Sequence, residues 1–180
     1  MTEARCTATP RPSYHRRSLT RIAVISDTHL PRGARWLPAR CVELCTGADL
    51  LLHCGDVCGL GVWEMLANLG PPLAGVHGNM DDPELRKLLP KQRIVEVEGS
   101  RIGMVHIPGP AVGRAVRLRA TFPDCDATVY GHTHVPEAKQ DEGVWILNPG
   151  SPTERRTSRS HAMLMLEVEE GAVRPTLVRL

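Results

Sequence analysis

A chain of 180 residues with 42% hydrophobic side chains is long enough for one domain with a substantial core, and too apolar to be disordered. Aromatic residues make up only 3%, so Leu, Val, Ile, Ala and Met must build that core. A formal net charge of +2 argues against a general nucleic-acid binder, and no run of eighteen apolar residues offers a membrane span.

In chain order, residues 1–20 come first, with Pro10, Pro12 and a cluster of arginines opposed by the single acid Glu3. They read as a disordered basic leader or a misassigned start. A transit peptide is the weaker reading, because its helical apolar face is missing. Residues 21–180 read as the domain, and the cytoplasm is its expected location. The run 21–26 is short, apolar and β-branched, the pattern of a buried strand. Residues 35–45 read as a helix, 49–53 as a second strand, 60–69 as a second helix and 73–76 as a third strand. Asp82-Pro83-Glu84 opens a short helix, with Pro at an early helical position. Strand alternating with helix predicts a parallel sheet with crossover helices. Beyond it, 93–98 and 101–105 alternate and read as a hairpin joined at Gly99-Ser100. A helix over 111–120 follows, then strands over 127–130 and 144–147. A terminal hairpin over 162–168 and 172–178 turns at Glu170-Gly171. These late elements predict a second, mostly antiparallel sheet. The expected fold class is α/β: two sheets packed face to face as a sandwich, with helices outside.

Six cysteines form no CxxC pair, so buried, reduced thiols are expected rather than a zinc ribbon. The chemistry lies elsewhere, in six short motifs: Asp27-Thr28-His29, Gly55-Asp56, Gly78-Asn79-Met80-Asp81, His106, Gly131-His132-Thr133-His134 and Asn148-Pro149-Gly150-Ser151. Several follow an apolar run that reads as a strand, and functional groups in open α/β sheets gather beyond the carboxyl ends of strands. Carboxylate, amide and imidazole donors suit one or two hard or borderline divalent ions. A two-metal centre points to phosphate-ester hydrolysis. His53 and His77 read as structural supports, Arg155 and Arg156 as solvated charge ahead of a role on a substrate phosphate, and Asp81 as a group that orients Asn79 or caps the next helix.

These motifs resemble those of the calcineurin-like metallophosphoesterases, over about residues 21–160. More narrowly they are similar to the small single-domain phosphodiesterase branch, which shares its fold with the retromer scaffold subunit. The family string D-x-H, G-D, G-N-x-D, H, G-H-x-H stands here as Asp27/His29, Gly55/Asp56, Gly78/Asn79/Asp81, His106 and His132/His134. The run from Leu147 to Pro152, followed by Arg155, is similar to the branch's own signature. The resemblance implies the four-layer metallophosphoesterase fold and a first metal on Asp27, His29 and His134. It implies a second metal on Asn79, His106 and His132, with Asp56 bridging. Asp56, Asn79 and His106 are the residues expected to act at the reacting group. The implied activity is phosphodiester hydrolysis, in which a hydroxide shared by both ions attacks phosphorus in line with the leaving group. Manganese is the favoured ion, with iron, nickel or zinc as alternatives. The expected partner is a small phosphate-ester substrate, with neither nucleic acid nor membrane; oligomeric state is left open. The rival reading is a non-catalytic interaction scaffold of the same fold. A lactamase-like hydrolase is disfavoured because its H-x-H-x-D-H string is absent.

Two positions depart from the resemblance. Met80 stands where many phosphomonoesterases carry a proton-donating histidine, which predicts a bias toward esters with good leaving groups. Ile107 follows His106 where the family usually has glycine, which predicts a weaker second metal site.

Overall fold

The structure, a computed structural model, describes residues 19–31 and 35–180. The expected leader, apart from its last two residues, and with it Cys6 and His15, lies outside the described residues. Strands β1 (Thr20–Ile25), β2 (Leu50–His53) and β3 (Leu73–Gly75) alternate with helices α1 (Ala39–Thr46) and α2 (Leu60–Ala67), and α3 (Pro83–Leu88) follows. Then come β4 (Gln92–Val97), β5 (Ser100–Val105), α4 (Arg114–Thr121), β6 (Ala127–Tyr130), β7 (Glu137–Asp141), β8 (Val144–Asn148), β9 (Ala162–Glu169) and β10 (Ala172–Arg179). They form two five-stranded sheets, ordered β10-β9-β1-β2-β3 and β4-β5-β6-β8-β7.

The expected α/β sandwich with outer helices is the fold observed. Ile22 and Val24 of β1 and Leu52 of β2 pack with Ile102, Met104, Val129 and Leu147 of the other sheet. Their chain neighbours Ala23, Ile25 and Leu51 turn the other way, onto Cys41, Cys45, Val62, Leu66 and Leu85 of the first three helices. Both faces of β1 and β2 are therefore covered, which is why these strands are continuous apolar runs instead of alternating ones. On the far side, Val105, Tyr130 and Ile146 pack under Leu118 and Phe122 at the end of α4.

Four expectations are corrected. The second sheet is not mostly antiparallel: β5 pairs β6 and β6 pairs β8 in parallel, and only the flanking pairs β4–β5 and β8–β7 are antiparallel. The terminal hairpin joins the first sheet, with β9 antiparallel to β1. Its Leu164, Leu166 and Val168 alternate into the core between the sheets. Full burial of each such side chain contributes roughly 1.5–3 kcal/mol, which favours this seat over an exposed edge. Helix α1 starts later than expected, because Pro38 is its N-cap and holds the residue before it out of the helical region. The first hairpin turns at Glu98-Gly99, one residue earlier than Gly99-Ser100. No described helix is long and apolar enough to cross a membrane.

Candidate metal centre

Strands β1, β2 and β3 run parallel, as do β5, β6 and β8. Each triplet therefore delivers its carboxyl ends together, and six loops converge on one end of the sandwich. Asp27 and His29 follow β1, Asp56 follows β2, Asn79 follows β3, His106 follows β5, and His132 and His134 follow β6. Five of these seven residues hold positive φ: Asp27 (56°), His29 (46°), Asp56 (57°), His132 (69°) and His134 (58°). Each costs of order 1 kcal/mol in a non-glycine residue, and such strain persists only where surrounding contacts enforce it.

Those contacts are specific. Ser151 Oγ donates to the Asp27 carbonyl at 2.7 Å, and Thr153 Oγ1 donates to the Thr28 carbonyl at 2.6 Å. Ser26 Oγ donates to Asp27 Oδ2 at 2.6 Å, and the His132 N–H reaches the same carboxylate at 3.0 Å. Asn148 donates through Nδ2 to the Gly131 carbonyl and to Thr133 Oγ1. The Asn148–Ser151 motif is thus a support for the loops and not a ligand. Two glycines are set by close approach. A Cβ at Gly78 would meet Asp56 Oδ1 at 2.1 Å, and one at Gly131 would meet Ser26 Oγ at 2.1 Å.

The seven expected residues are brought together as two adjoining groups. Asp27, His29 and His134 form one, and Asp56, His106 and His132 the other, with donor atoms within 4.8 Å of one another in each. His134 Nε2 lies 3.2 Å from Asp27 Oδ1 and 3.2 Å from His29 Nε2. Asn79 joins the second group, its Oδ1 2.9 Å from His132 Nδ1 and 3.2 Å from His106 Nε2. The donor set fits a cation. His134 Nδ1–H donates to the Glu154 carbonyl at 2.8 Å, and His106 Nδ1–H donates to the Cys54 carbonyl at 2.7 Å. A carbonyl can only accept, so each neutral ring presents its Nε2 lone pair to the cluster. Burial disfavours charge on His106, yet the Asp56 carboxylate at 3.2 Å, the Asp27 charge and the Cys54 carbonyl together raise the imidazole pKa. Burial likewise pushes Asp56 up, but the His106 hydrogen bond and charge, with the Met80 N–H, hold it down at about 2. The His29 pKa is lowered, chiefly by burial, which favours the neutral ring that a metal ligand needs. Metal binding at such a site displaces protons.

The neighbouring residues sort as follows. His53 is fully buried; its Nδ1 accepts from the Gly55 N–H at 3.2 Å, which leaves Nε2–H to donate to Thr28 Oγ1 at 3.2 Å. It is a brace between two loops, as the sequence suggests. Asp81 neither caps α3 nor bonds Asn79. Its two oxygens accept from the Cys58 and Gly78 N–H groups, each at 2.6 Å, tying the Asp56 loop to the Asn79 loop. The cap of α3 is Asp82, which accepts from the Leu85 N–H. Met80 is 56% exposed at the mouth. Ile107 is also half-exposed, on the wall of a cavity of about 320 Å³ shared with Asn79, Arg86 and Lys91. Glu154, which sequence reasoning passed over, brings Oε2 to 3.7 Å from His29 Nε2. Only its place just after the Asn148–Pro152 run could have signalled it.

Comparison with known proteins accords with this geometry. A probable metallophosphoesterase of Methanocaldococcus jannaschii is 36% identical over 154 residues, 83% of this chain and 76% of that protein. The solution structure of a Thermotoga maritima protein superposes with a TM-score of 0.71 at 33% identity, covering 89% of this chain and 99% of that one. The vacuolar protein sorting 29 structure from Cryptosporidium parvum shares the fold, with a TM-score of 0.73 at 24% identity over 90% of this chain and 98% of its own. The model of the calcineurin-like phosphoesterase superfamily domain matches residues 20–171, a span holding every one of the converging ligand-type side chains, and the chain belongs to that superfamily.

Proposed function

We propose that this protein hydrolyses small phosphodiesters with two divalent ions, one held by Asp27, His29 and His134 and the other by Asn79, His106 and His132. The observation that carries the reading is the place of Asp56. Its Oδ2 lies 3.2 Å from His106 Nε2 and 3.7 Å from His29 Nε2, so one carboxylate oxygen reaches both groups. Two ions held there would activate water and neutralise charge on a phosphoryl group. The chain's own residues do the rest. Asp27 and Asp56 balance the cationic charge, and four imidazoles and an amide leave the site able to accept an anion. The Nδ1–H bonds of His106 and His134 fix ring orientation. Met80 supplies no proton to the departing group, which favours esters whose leaving groups need none. The donor set of oxygen and nitrogen favours manganese, with iron, nickel or zinc as alternatives.

The test is a hydrolysis assay of the purified protein loaded in turn with manganese, iron, nickel and zinc, on one aryl phosphodiester and one aryl phosphomonoester. Turnover of the diester above the monoester is expected. Asp56→Asn keeps the shape but removes the charge that offsets two cations. It should lose at least one equivalent of metal by elemental analysis, and roughly a hundredfold or more in rate. Full metal content with activity within a few fold of the parent would overturn the two-ion reading. The alternative, an interaction scaffold of this fold, requires that no ion support turnover of either ester.

A further inference from the structure

Beside the candidate centre lies a cleft of about 610 Å³ that the proposed chemistry does not use. Arg35, Trp36, Glu154, Arg155, Arg156 and His161 line it. Three of the six are arginines and one is an acid, and that acid leans toward the metal-type cluster, 3.7 Å from His29. The cleft is therefore cationic. Arg35 Nη1 is buried and, among the described residues, has no hydrogen-bond partner. A buried donor without an acceptor costs about 1–3 kcal/mol, which a bound anion would recover. Pro38 lies on the same wall as the N-cap of α1, and its side chain offers no cap to the N–H groups of that helix's first turn. Trp36 leaves 63% of its surface exposed on the wall of the cleft. Burial lowers the pKa of His161, and Arg155 and Arg35 lower it further, which registers the crowding of positive charge.

The cleft also touches the centre at two points. The Glu154 carbonyl accepts from His134 Nδ1–H, and Arg156 Nη1 donates to the His132 carbonyl at 3.4 Å. The cleft therefore adjoins the centre, within reach of an arm of an ester held there. Resting on the proposed phosphodiesterase activity, we propose that this cleft is a substrate subsite for an ester arm carrying a planar ring and a second phosphate, the ring against Trp36 and the phosphate on Arg35 and Arg155. It selects nucleotide-type diesters over simple aryl diesters. The sequence favours solvated charge for Arg155 over a role on substrate phosphate; its convergence with Arg35, 120 residues earlier, favours the phosphate role.

Three diesters test the subsite, each releasing p-nitrophenolate as water adds to phosphorus: bis(p-nitrophenyl) phosphate, thymidine 5′-(p-nitrophenyl phosphate), and the latter bearing a 3′-phosphate. The 3′-phosphate should raise kcat/KM about tenfold or more, chiefly through KM, the yield of a charge-assisted hydrogen bond. Arg35→Ala and Arg155→Glu should erase most of that gain, and Trp36→Ala the preference for the thymidine esters over the bis-aryl ester. Calorimetric titration of the full chain with thymidine 3′,5′-bisphosphate reads the subsite without turnover, and the same substitutions should weaken binding about tenfold. If the bisphosphate binds and the variants weaken it while no ester is hydrolysed, the subsite stands and the hydrolase reading falls. If bis(p-nitrophenyl) phosphate is cleaved but the 3′-phosphate confers nothing, or the variants slow all three esters equally, the subsite is overturned and the hydrolase reading stands. Thermal melts of each variant separate loss of fold from loss of binding.

Discussion

At the scale of single residues, Met80 and His53 carry separate consequences. Met80 follows Asn79 at the mouth of the site and has no proton to give. The rate should therefore fall steeply as leaving-group pKa rises. Met80→His is expected to flatten that dependence across a series of substituted aryl and alkyl esters. Equal cleavage of alkyl and aryl esters by the parent, with chemistry rate-limiting, would show that another group supplies the proton. His53 is different, since it never meets substrate. Burial lowers its pKa to about 4 from an ordinary value near 6.5, against the opposing pull of Asp81 and Asp27. Between those two values the unfolded chain binds a proton that the folded chain refuses. Stability should then decline as pH falls from 6.5 toward 4, by up to about 3 kcal/mol, and level off below. His53→Gln keeps a donor toward Thr28 and cannot titrate. Denaturant melts across that range should show a shallower decline for the variant, and identical slopes would refute the assignment.

At the scale of elements, the loops matter more than the strands they leave. The Asp56 loop and the Asn79 loop meet through Asp81, whose two oxygens each take a backbone N–H. Asp81→Asn places an NH2 where one acceptor stood and leaves a buried donor unmet, at a cost of about 1–3 kcal/mol. Because the loose loops carry Asp56 and Asn79, metal content should fall along with stability. A variant that melts early yet holds its full complement of metal would show that Asp81 braces the fold alone. The hairpins show a second regularity. Glu98-Gly99, Glu142-Gly143 and Glu170-Gly171 all hold positive φ at both residues, the conformation that matches the twist of a two-residue hairpin. The sequence reading finds the last of these, places the first one residue late, and misses β7 before the second. Glu137-Ala138-Lys139-Gln140-Asp141 has no β-forming pattern of its own, and this edge strand takes its conformation from β8. The Glu-Gly pair ahead of Val144 is the signal that could have found it.

At the scale of the whole molecule, the core between the sheets holds two independent parallel triplets in one frame. Leu166 of β9 is fully buried there. Leu166→Ala should cost about 2–5 kcal/mol by chemical denaturation, through lost burial and the cavity left behind. Leu177 on the adjoining strand is 40% exposed, and its replacement by Ala should cost far less. Comparable losses at both positions would mean that the terminal hairpin is not anchored through its inward face. Neither substitution should change metal content below the melting transition, because both lie away from the converging loops.

The identities of the seven ligand-type residues, the strands that precede them and the α/β class were all legible in the sequence. A ligand's chemistry belongs to its side chain, and a buried parallel strand announces itself as a short apolar run bounded by a turn. Tertiary structure alone decided the rest. Which sheet receives the terminal hairpin depends on where Leu164, Leu166 and Val168 can all leave water at once, a sum over contacts distant in sequence. The loop that holds Asp27 and His29 at positive φ is pinned at the Asp27 and Thr28 carbonyls by hydrogen bonds from Ser151 and Thr153, more than 120 residues along the chain. The cationic cleft depends on the same convergence, since Arg35 and Arg155 share no local pattern. Local pattern reports what a residue can do, and only the closed chain sets what it stands beside.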